Sequence, residues 1–195
     1  KIFKKKTNIF LFMQNIENGS LLITHPTMLD KTFFKSIILV THHNYDETIG
    51  LVINNPSKIK LHEIIDDIPL SNFPVYIGGP VAKNSIHYIH TLGKKIPGSI
   101  KIYNELFFGG DFQNVKELIS NGEAKKENIR FFAGYSGWEA NQLADEIKEN
   151  SWIIRKGNKE LSMQYSNQEK WSQILREMDK KFAIWSNLPK NPSLN

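Results

Sequence analysis

The sequence offers one candidate set for nucleophilic catalysis, which consists of Ser136, His90 and Asp30. A serine hydroxyl, an imidazole base and an orienting carboxylate form the catalytic set of many hydrolases. Ser136 stands between an apolar run and an amphipathic run, which is where a nucleophile elbow would be. The Gly-x-Ser-x-Gly pattern of such elbows is broken, however, because residue 138 is tryptophan. A serine hydrolase is therefore the alternative hypothesis rather than the favoured one.

The stretch 130–152 holds the favoured candidate site, which is a binding site. A predicted strand at 131–133 leads into a predicted turn with two aromatic residues, and then into a helix in which Leu143 and Ile147 share one face. Backbone N–H groups at such a strand-to-helix turn face outward and suit a ligand. Both a buried and an exposed Trp138 are compatible with the pattern. The residues expected to bind a ligand or partner belong to this turn, to the helix start and to a second glycine turn: Gly78, Gly79, Pro80, Gly134, Tyr135, Ser136, Gly137, Trp138 and Gln142.

The charge of the chain is concentrated at one end. The 195 residues carry a net charge of +5, but Lys1, Lys4, Lys5 and Lys6 supply four of those charges, so the remainder is nearly neutral. A surface that follows nucleic-acid phosphates needs clustered lysine and arginine, and the whole chain has three arginines. We therefore expect no specific binding to nucleic acid. The segment 1–16 is predicted to be a basic extension that is either disordered or an over-extended start, with Met13 as the natural start in the second case.

Other classes of site are disfavoured by residue type and spacing. The chain has no cysteine, which removes disulfides and Cys-based zinc sites and suits a reducing cytoplasm. His87 and His90 lie three apart on a predicted strand, so their side chains point to opposite faces and do not share a metal ion. No apolar run reaches the roughly 18 residues of a membrane span. We expect no metal, no cofactor and no transmembrane segment.

Apolar periodicity and turn residues predict a mixed set of elements. The Gly78-Gly79 pair lacks the lysine and hydroxyl residue of a phosphate loop, so we interpret it as a close crossing of two chain segments. Asp111 is predicted to cap a helix. The predicted strands are 21–24, 37–41, 48–53, 75–77, 86–90, 100–103, 131–133 and 152–155, with an antiparallel hairpin turning at 44–47, and the predicted helices are 61–67, 112–121, one from about 142, and 168–178.

Several short motifs occur together in a recognisable order. They are Gly19-Ser20-Leu21-Leu22, Pro26-x-x-Leu29-Asp30-x-x-Phe33, Gly50-Leu51-Val52-Ile53-Asn54-x-Pro56, Gly78-Gly79-Pro80-Val81, Ile89-His90 and the central block 130–152. In these motifs the chain resembles the YqgE/AlgH family of bacterial proteins over residues 17–178. The resemblance implies one α+β domain with a mixed, partly barrel-like sheet flanked by helices, and a cytosolic location. Residues 179–195 would then be a mobile tail.

The resemblance also bears on function. The family commonly has alanine at the position of Ser136, which an indispensable nucleophile would not tolerate, and it commonly has glycine at the position of Asn141. A side chain at position 141 would narrow any groove beside the helix start. One branch of the family is labelled a transcriptional regulator but has no recognised DNA-binding motif. The sequence therefore predicts a non-catalytic, cytoplasmic protein that binds a small molecule or another protein, with any regulatory role indirect.

Overall fold

Ten strands and four α-helices make up the part of the chain that the computed structural model describes, residues 16–28 and 30–178. The strands are β1 (Ser20–Thr24), β2 (Ile37–His43), β3 (Glu47–Val52), β4 (Pro56–Lys60), β5 (Pro74–Ile77), β6 (Val81–His90), β7 (Ile100–Tyr103), β8 (Leu106–Phe108), β9 (Ile129–Glu139) and β10 (Trp152–Lys156). The helices are α1 (Phe112–Ser120), α2 (Gln142–Lys148), α3 (Lys159–Met163) and α4 (Gln168–Met178), joined by single 3-10 turns at Lys31–Phe33, Leu61–Glu63 and Gly93–Lys95. The predicted tail, residues 1–15 of the predicted extension, and Leu29 lie outside the described residues.

All ten strands belong to one curled sheet with β9 at its centre. The order along the sheet is β10-β1-β2-β3-β9-β6-β8-β7, and β5 also pairs with β9 while β4 pairs with β5. The β5–β9 pair is parallel and the other pairs are antiparallel, so the sheet is mixed. Tyr103 of β7 packs directly against Gly19, the residue before β1, which brings the two ends of the sheet together. The expected α+β fold with a partly barrel-like sheet is confirmed.

Three apolar clusters fill the two faces of this sheet. Inside the curl, β1, β2 and β9 pack against α4, whose Trp171 is 1% exposed. A second cluster places α1 against β6 and β9, and a third places α2 against β1, β2 and the end of β9. Because apolar residues cover both faces, β1 is buried at every position, which agrees with its continuous run of aliphatic residues.

The two glycine segments of the predicted site cross in van der Waals contact. A Cβ added to Gly78 would lie 2.3 Å from the carbonyl oxygen of Gly134, and one added to Gly79 would lie 2.2 Å from that of Tyr135. No side chain fits into such a gap, so glycine is required at both positions. The predicted close crossing is confirmed. It lets the end of β5 pass directly over the middle of β9.

The predicted turn at 134–138 is wrong, because β9 continues without interruption to Glu139. Gly134 adopts a φ of +69°, which kinks the strand where β6 shifts its register between Val81 and Ile86. This is the behaviour of a β-bulge, in which a glycine re-aims a strand instead of ending it. The glycines that directly precede Tyr135 and Trp138 therefore belong to a bulged strand here.

The remaining elements agree with expectation in part. The hairpin of β2 and β3 and the helix α1 are confirmed, and the Asp111 carboxylate caps α1 by accepting a 2.8 Å hydrogen bond from the backbone N–H of Gln113. The predicted helix 61–67 is wrong: a single 3-10 turn, Leu61–Glu63, replaces it, and Ile64 lies 43% exposed. The strands β4 and β8 and the short helix α3 were not predicted, because their sequences show no sustained apolar periodicity.

Candidate functional site

The last residues of β9 carry side chains that the sequence predicted to bind a ligand or partner, with Trp138 left open between a buried and an exposed position. Ser136 is 0% exposed and Trp138 is 3% exposed, so both point into the protein. Gly137, between them, faces solvent, as alternation along a strand requires. Tyr135 is half-buried, with its ring edge-on to that of His87 at 5.4 Å. Trp138 is a core residue and not an exposed recognition residue.

A carboxylate of α2 holds the end of β9 in place. The Oε2 atom of Glu146 accepts hydrogen bonds from the indole N–H groups of Trp138, at 2.8 Å, and Trp152, at 2.7 Å. Its Oε1 atom accepts a 3.0 Å bond from the amide of Gln142. The Gln142 amide oxygen in turn accepts a 3.1 Å bond from the backbone N–H of Glu139. We call these four side chains, Trp138, Gln142, Glu146 and Trp152, the Glu146 cluster.

Aromatic packing completes the attachment of α2. The rings of Trp138 and Trp152 meet edge-to-face with centroids 5.8 Å apart, and Phe33 packs against both. Leu143, at 3% exposure, lies in the same apolar cluster. Such pairs contribute about 1 kcal/mol each beyond the area they bury. The Glu146 cluster is therefore a structural joint between β9, α2 and β10.

An open groove of about 190 Å³ lies beside this joint. One wall is the junction of β9 and α2 and the other is the turn between β2 and β3; the two walls adjoin because β3 pairs with the end of β9. We call it the α2 groove. It is lined by Ile16, His43, Asn44, Tyr45, Glu47, Thr48, Glu139, Ala140, Asn141, Leu143 and Ala144.

The backbone at Asn141 has a conformation that bears on the glycine implied at this position by the resemblance. Asn141 adopts a left-handed conformation, with φ +66° and ψ −16°, as the residue that precedes α2. Glycine tolerates this region best and asparagine is among the side chains that enter it most readily. Asparagine is therefore compatible with this turn, and it places an exposed amide in the wall of the α2 groove.

The mouth of the α2 groove is acidic and aromatic. Glu47 and Glu139 stand directly opposite each other in the β3–β9 register, an arrangement in which like charges repel. His42 approaches Glu47 at 3.9 Å, with both side chains largely exposed. Burial, with a smaller contribution from His42, lowers the pKa of His43, so His43 is neutral at pH 7. Tyr45, 88% exposed, projects from the β2–β3 turn.

The residues of the hydrolase alternative are not brought together. His90 pairs with Ile129, seven residues along β9 from Ser136, which places the two on the order of 20 Å apart. The Ser136 hydroxyl donates a 3.2 Å hydrogen bond to the carbonyl oxygen of Gly78. Asp30 accepts a 2.7 Å bond from the backbone N–H of Thr32 at the start of a 3-10 turn. None of these contacts links the serine, the histidine and the aspartate as a catalytic triad would.

His90 is also committed to structural hydrogen bonds. Its Nδ1 atom accepts a 3.2 Å bond from the backbone N–H of Leu92, so its Nε2 atom carries the proton. That nitrogen lies 3.1 Å from the carbonyl oxygen of Gly109 and 3.0 Å from the hydroxyl of Ser99. Burial lowers the pKa of His90, partly offset by the bond to Gly109, and the ring is neutral. A base would need an unprotonated nitrogen facing its nucleophile.

The two histidines of β6 face opposite sides, as predicted. The ring of His87 stacks on Phe108 at 6.1 Å, while that of His90 stacks on Phe107 at 5.7 Å. Phe107 and Phe108 are consecutive in β8 and so lie on opposite faces. Among the described residues, no group of three His, Asp or Glu side chains is arranged to hold a metal ion.

Three features of the site were not predicted: the α2 groove, the role of Glu146, and the position of Tyr45. A signal for Glu146 exists, since it lies four residues after Gln142 and so shares its helix face. Its indole partners, Trp138 and Trp152, come from two different strands, and local periodicity does not report such a contact. The groove depends on the pairing of β3 with β9, which also joins segments far apart in sequence.

The chain matches known proteins over nearly its full length. The family model described as AlgH-like matches residues 21–183. A UPF0301 protein of Bacteroides fragilis is 39% identical over 193 residues, covering 97% of this chain and 98% of that protein. A UPF0301 protein of Bacteroides thetaiotaomicron is 37% identical over 195 residues, covering 100% of this chain and 97% of that protein.

Two solved structures share the fold. The solution structure of the AlgH protein from Pseudomonas aeruginosa superposes with a TM-score of 0.71 at 25% identity, covering 89% of this chain and 95% of that one. A crystal structure of a Corynebacterium diphtheriae protein superposes with a TM-score of 0.68 at 22% identity, covering 91% and 97%. The fold is therefore common to proteins from distant bacteria. The names of these relatives specify no reaction.

Proposed function

Since the chain belongs to the AlgH-like family, which confirms the resemblance carried by its motifs, we propose that it is a non-catalytic binding protein that uses the α2 groove. The observation that carries the proposal is the end of the central motif. Residues 139–144 do not present a nucleophile but form one wall of an open groove, opposite the exposed ring of Tyr45. Exposed aromatic residues beside polar backbone are typical of recognition surfaces.

The charges at the groove favour a basic protein segment as its occupant. Glu47 and Glu139 face each other without a lysine or arginine in an ion pair with either, among the ion pairs of the described residues. A lysine or arginine side chain placed between them would relieve their repulsion. Tyr45 would pack along the aliphatic part of such a side chain. The same acidic mouth disfavours nucleic acid, so any regulatory role would act through a protein partner.

The proposed location is the cytosol. The cysteine-free sequence suits a reducing compartment, and the family resemblance supports the same assignment. In the described part of the chain, no helix is long and apolar enough to cross a membrane. None of the nine residues predicted to bind a ligand or partner lines the α2 groove. Pro80, Gly137 and Gln142 are exposed, Tyr135 is half-buried, and the others, Gly78, Gly79, Gly134, Ser136 and Trp138, are buried.

Affinity capture from native lysate, followed by mass spectrometry of proteins and small molecules, tests this proposal. We expect a protein partner that the parent chain retains and that Tyr45→Ala and Glu139→Gln lose, because both changes are at exposed positions in the groove. Glu127→Gln is the matched control, since Glu127 is exposed outside the groove. Retention should weaken as salt rises, as expected for exposed charge pairs.

Two results would contradict the proposal. Equal capture by the parent, Tyr45→Ala and Glu139→Gln would mean that the partner binds elsewhere. Covalent labelling of Ser136 by a fluorophosphonate probe would favour the hydrolase alternative, because that reagent reacts with activated serine nucleophiles.

A further inference from the structure

Arg130 is a buried cation with incomplete hydrogen bonding. It is the second residue of β9 and is 4% exposed. Its guanidinium donates hydrogen bonds to the carbonyl oxygens of Ser162 and Ile53, the latter at 2.7 Å, and makes a further bond with the Tyr76 hydroxyl. Its Nε–H has no partner among the described residues. A guanidinium is a donor at every N–H and stays protonated in proteins, so this donor is unsatisfied.

No carboxylate compensates this charge. None of the ion pairs in the described part of the chain includes Arg130. The rings of Tyr76, 4.2 Å from the guanidinium carbon, and Phe132, at 5.4 Å, cover it instead. Burial lowers the pKa of Arg130, opposed by its contact with Tyr76. A buried charge without an opposite charge is costly, and proteins usually provide a counter-ion.

A cavity of about 60 Å³ adjoins this cation. We call it the Arg130 cavity; it is lined by Pro74, Tyr76, Lys126, Ile129, Arg130, Met163 and Tyr165. Tyr165, 68% exposed, and Lys126, also exposed, border it, so it can be reached from the surface. Two of the seven lining residues are cationic, two carry phenolic hydroxyls and none is acidic. The cavity is small and has room for one small polar group.

We propose that the Arg130 cavity binds a small oxyanion, the carboxylate or phosphate group of a ligand. The anion would supply the missing negative charge beside the guanidinium of Arg130, with Lys126 adding attraction at the entrance. The site shares no residue with the α2 groove. The test of anion binding at the Arg130 cavity is therefore independent of the test of the proposed function.

Nuclear magnetic resonance of arginine side chains in the full chain tests the site directly. The chain contains three arginines, Arg130, Arg155 and Arg176, so three Nε–H signals are expected. Arg155→Lys and Arg176→Lys assign these signals and leave the cavity intact. The probes are inorganic phosphate and acetate, each titrated to about 50 mM at constant ionic strength so that screening stays fixed.

We expect the Arg130 signal to shift saturably with at least one probe while the signals of Arg155 and Arg176 stay fixed. A response to phosphate alone identifies a phosphate-bearing ligand, and a response to acetate alone a carboxylate-bearing one. Lys126→Gln should weaken binding roughly two- to fivefold, the effect of one exposed charge. Lys125→Gln, the exposed neighbour that does not line the cavity, is the matched control and should leave binding unchanged.

The proposal is overturned if neither probe shifts the Arg130 signal, or if all three arginine signals move together without saturation. It is also overturned if Lys126→Gln and Lys125→Gln weaken binding equally, because that result would reflect general surface charge. Arg130 would then be a structural side chain that joins β9 to α3 and to the end of β3.

Discussion

A charged side chain is bound near each end of β9, and the two have different surroundings. Near the far end, Glu146 is an acceptor whose oxygens receive three hydrogen bonds from neutral N–H groups, those of Trp138, Trp152 and Gln142. Near the start, Arg130 is a donor that is held by carbonyl oxygens and a hydroxyl but retains one unpaired N–H. Both carboxylate oxygens of Glu146 have partners within the protein, whereas the guanidinium of Arg130 keeps one N–H without a partner among the described residues.

The comparison separates structural from binding roles on a single strand. The site expected from the sequence, at the end of β9, is where side chains are most completely satisfied by the protein itself. The two proposed binding sites lie beside it, in the α2 groove, and at the opposite end, in the Arg130 cavity. Buried groups without a hydrogen-bond partner or a counter-charge therefore indicate a candidate site better than aromatic or hydroxyl side chains do.

The largest expected effect is that of Arg130→Ala, which should lower the free energy of unfolding by about 4 kcal/mol. The buried carbonyl group of Ser162 loses its donor and a cavity opens, whereas the carbonyl of Ile53 keeps the Ser166 hydroxyl as a donor, and removal of a buried charge offsets part of the loss. Arg130→Met, which keeps most of the volume, should cost about half as much. Urea denaturation measures both.

Arg155→Ala is the control for that pair, because the Arg155 side chain is partly exposed and forms a 3.9 Å ion pair with Glu177. Its effect should stay within about 1 kcal/mol. If Arg130→Ala unfolds at the same urea concentration as Arg155→Ala, the start of β9 is not stabilised by Arg130. The contrast between Arg130 and Glu146 would then have no energetic basis.

At the other end of β9, Leu143→Ala should cost about 3 kcal/mol, since it leaves a cavity between α2 and the sheet. Leu70→Ala makes the same chemical change at a residue that is 92% exposed, and it should be nearly neutral. Thermal melting of the two variants in parallel measures the difference. Equal melting temperatures would mean that α2 is not docked against the end of β9.

Glu146→Gln should cost about 2 kcal/mol, less than the loss of Arg130, because the amide oxygen can still accept from the indoles. Its new NH₂ group, however, faces the amide donor of Gln142. The near-ultraviolet circular dichroism of Trp138 and Trp152 should change with the substitution. Glu149→Gln, on an exposed residue next to the same helix, should change neither stability nor spectrum; a response in that variant would point to helix charge instead of the Glu146 cluster.

The smallest expected effect is that of Ser136→Ala, about 1 kcal/mol for one lost hydrogen bond. The carbonyl oxygen of Gly78 keeps a partner, because it also accepts a 2.8 Å bond from the backbone N–H of Val52. Captured partners should be the same for the variant and the parent. A well-folded Ser136→Ala variant that has lost all function would instead support Ser136 as a catalytic nucleophile.

Much of the fold is encoded locally and was predicted from the sequence. Aliphatic runs bounded by asparagine and proline marked β1, β2 and β3, and an aspartate capped α1. The Gly78-Gly79 pair also indicated the close approach of two segments, because it lacked every other feature of a phosphate loop. These features depend on short-range residue patterns, which remain informative without knowledge of tertiary contacts.

The candidate site was less predictable for a physical reason. Gly134 and Gly137 were interpreted as turn residues, since glycine weakens a strand. Tertiary contact reversed that preference: the close crossing at Gly134 and pairing with β3 keep the strand extended, so that Trp138 turns inward. Nothing within a local window distinguishes a bulged strand from a turn when the deciding contact lies more than fifty residues away.

The central position of β9 has a consequence for the synthesis of the chain. β9 is translated after β3, β5 and β6, yet it pairs with all three. β1 likewise pairs on its outer edge with β10, which is translated much later, as in the register of Ser20 with Lys156. Such non-local pairing slows folding. A ribosome-bound nascent chain would therefore expose the open edges of β1–β3 to aggregation until about residue 156 has emerged, and rapid co-translational folding of the amino-terminal half is not expected.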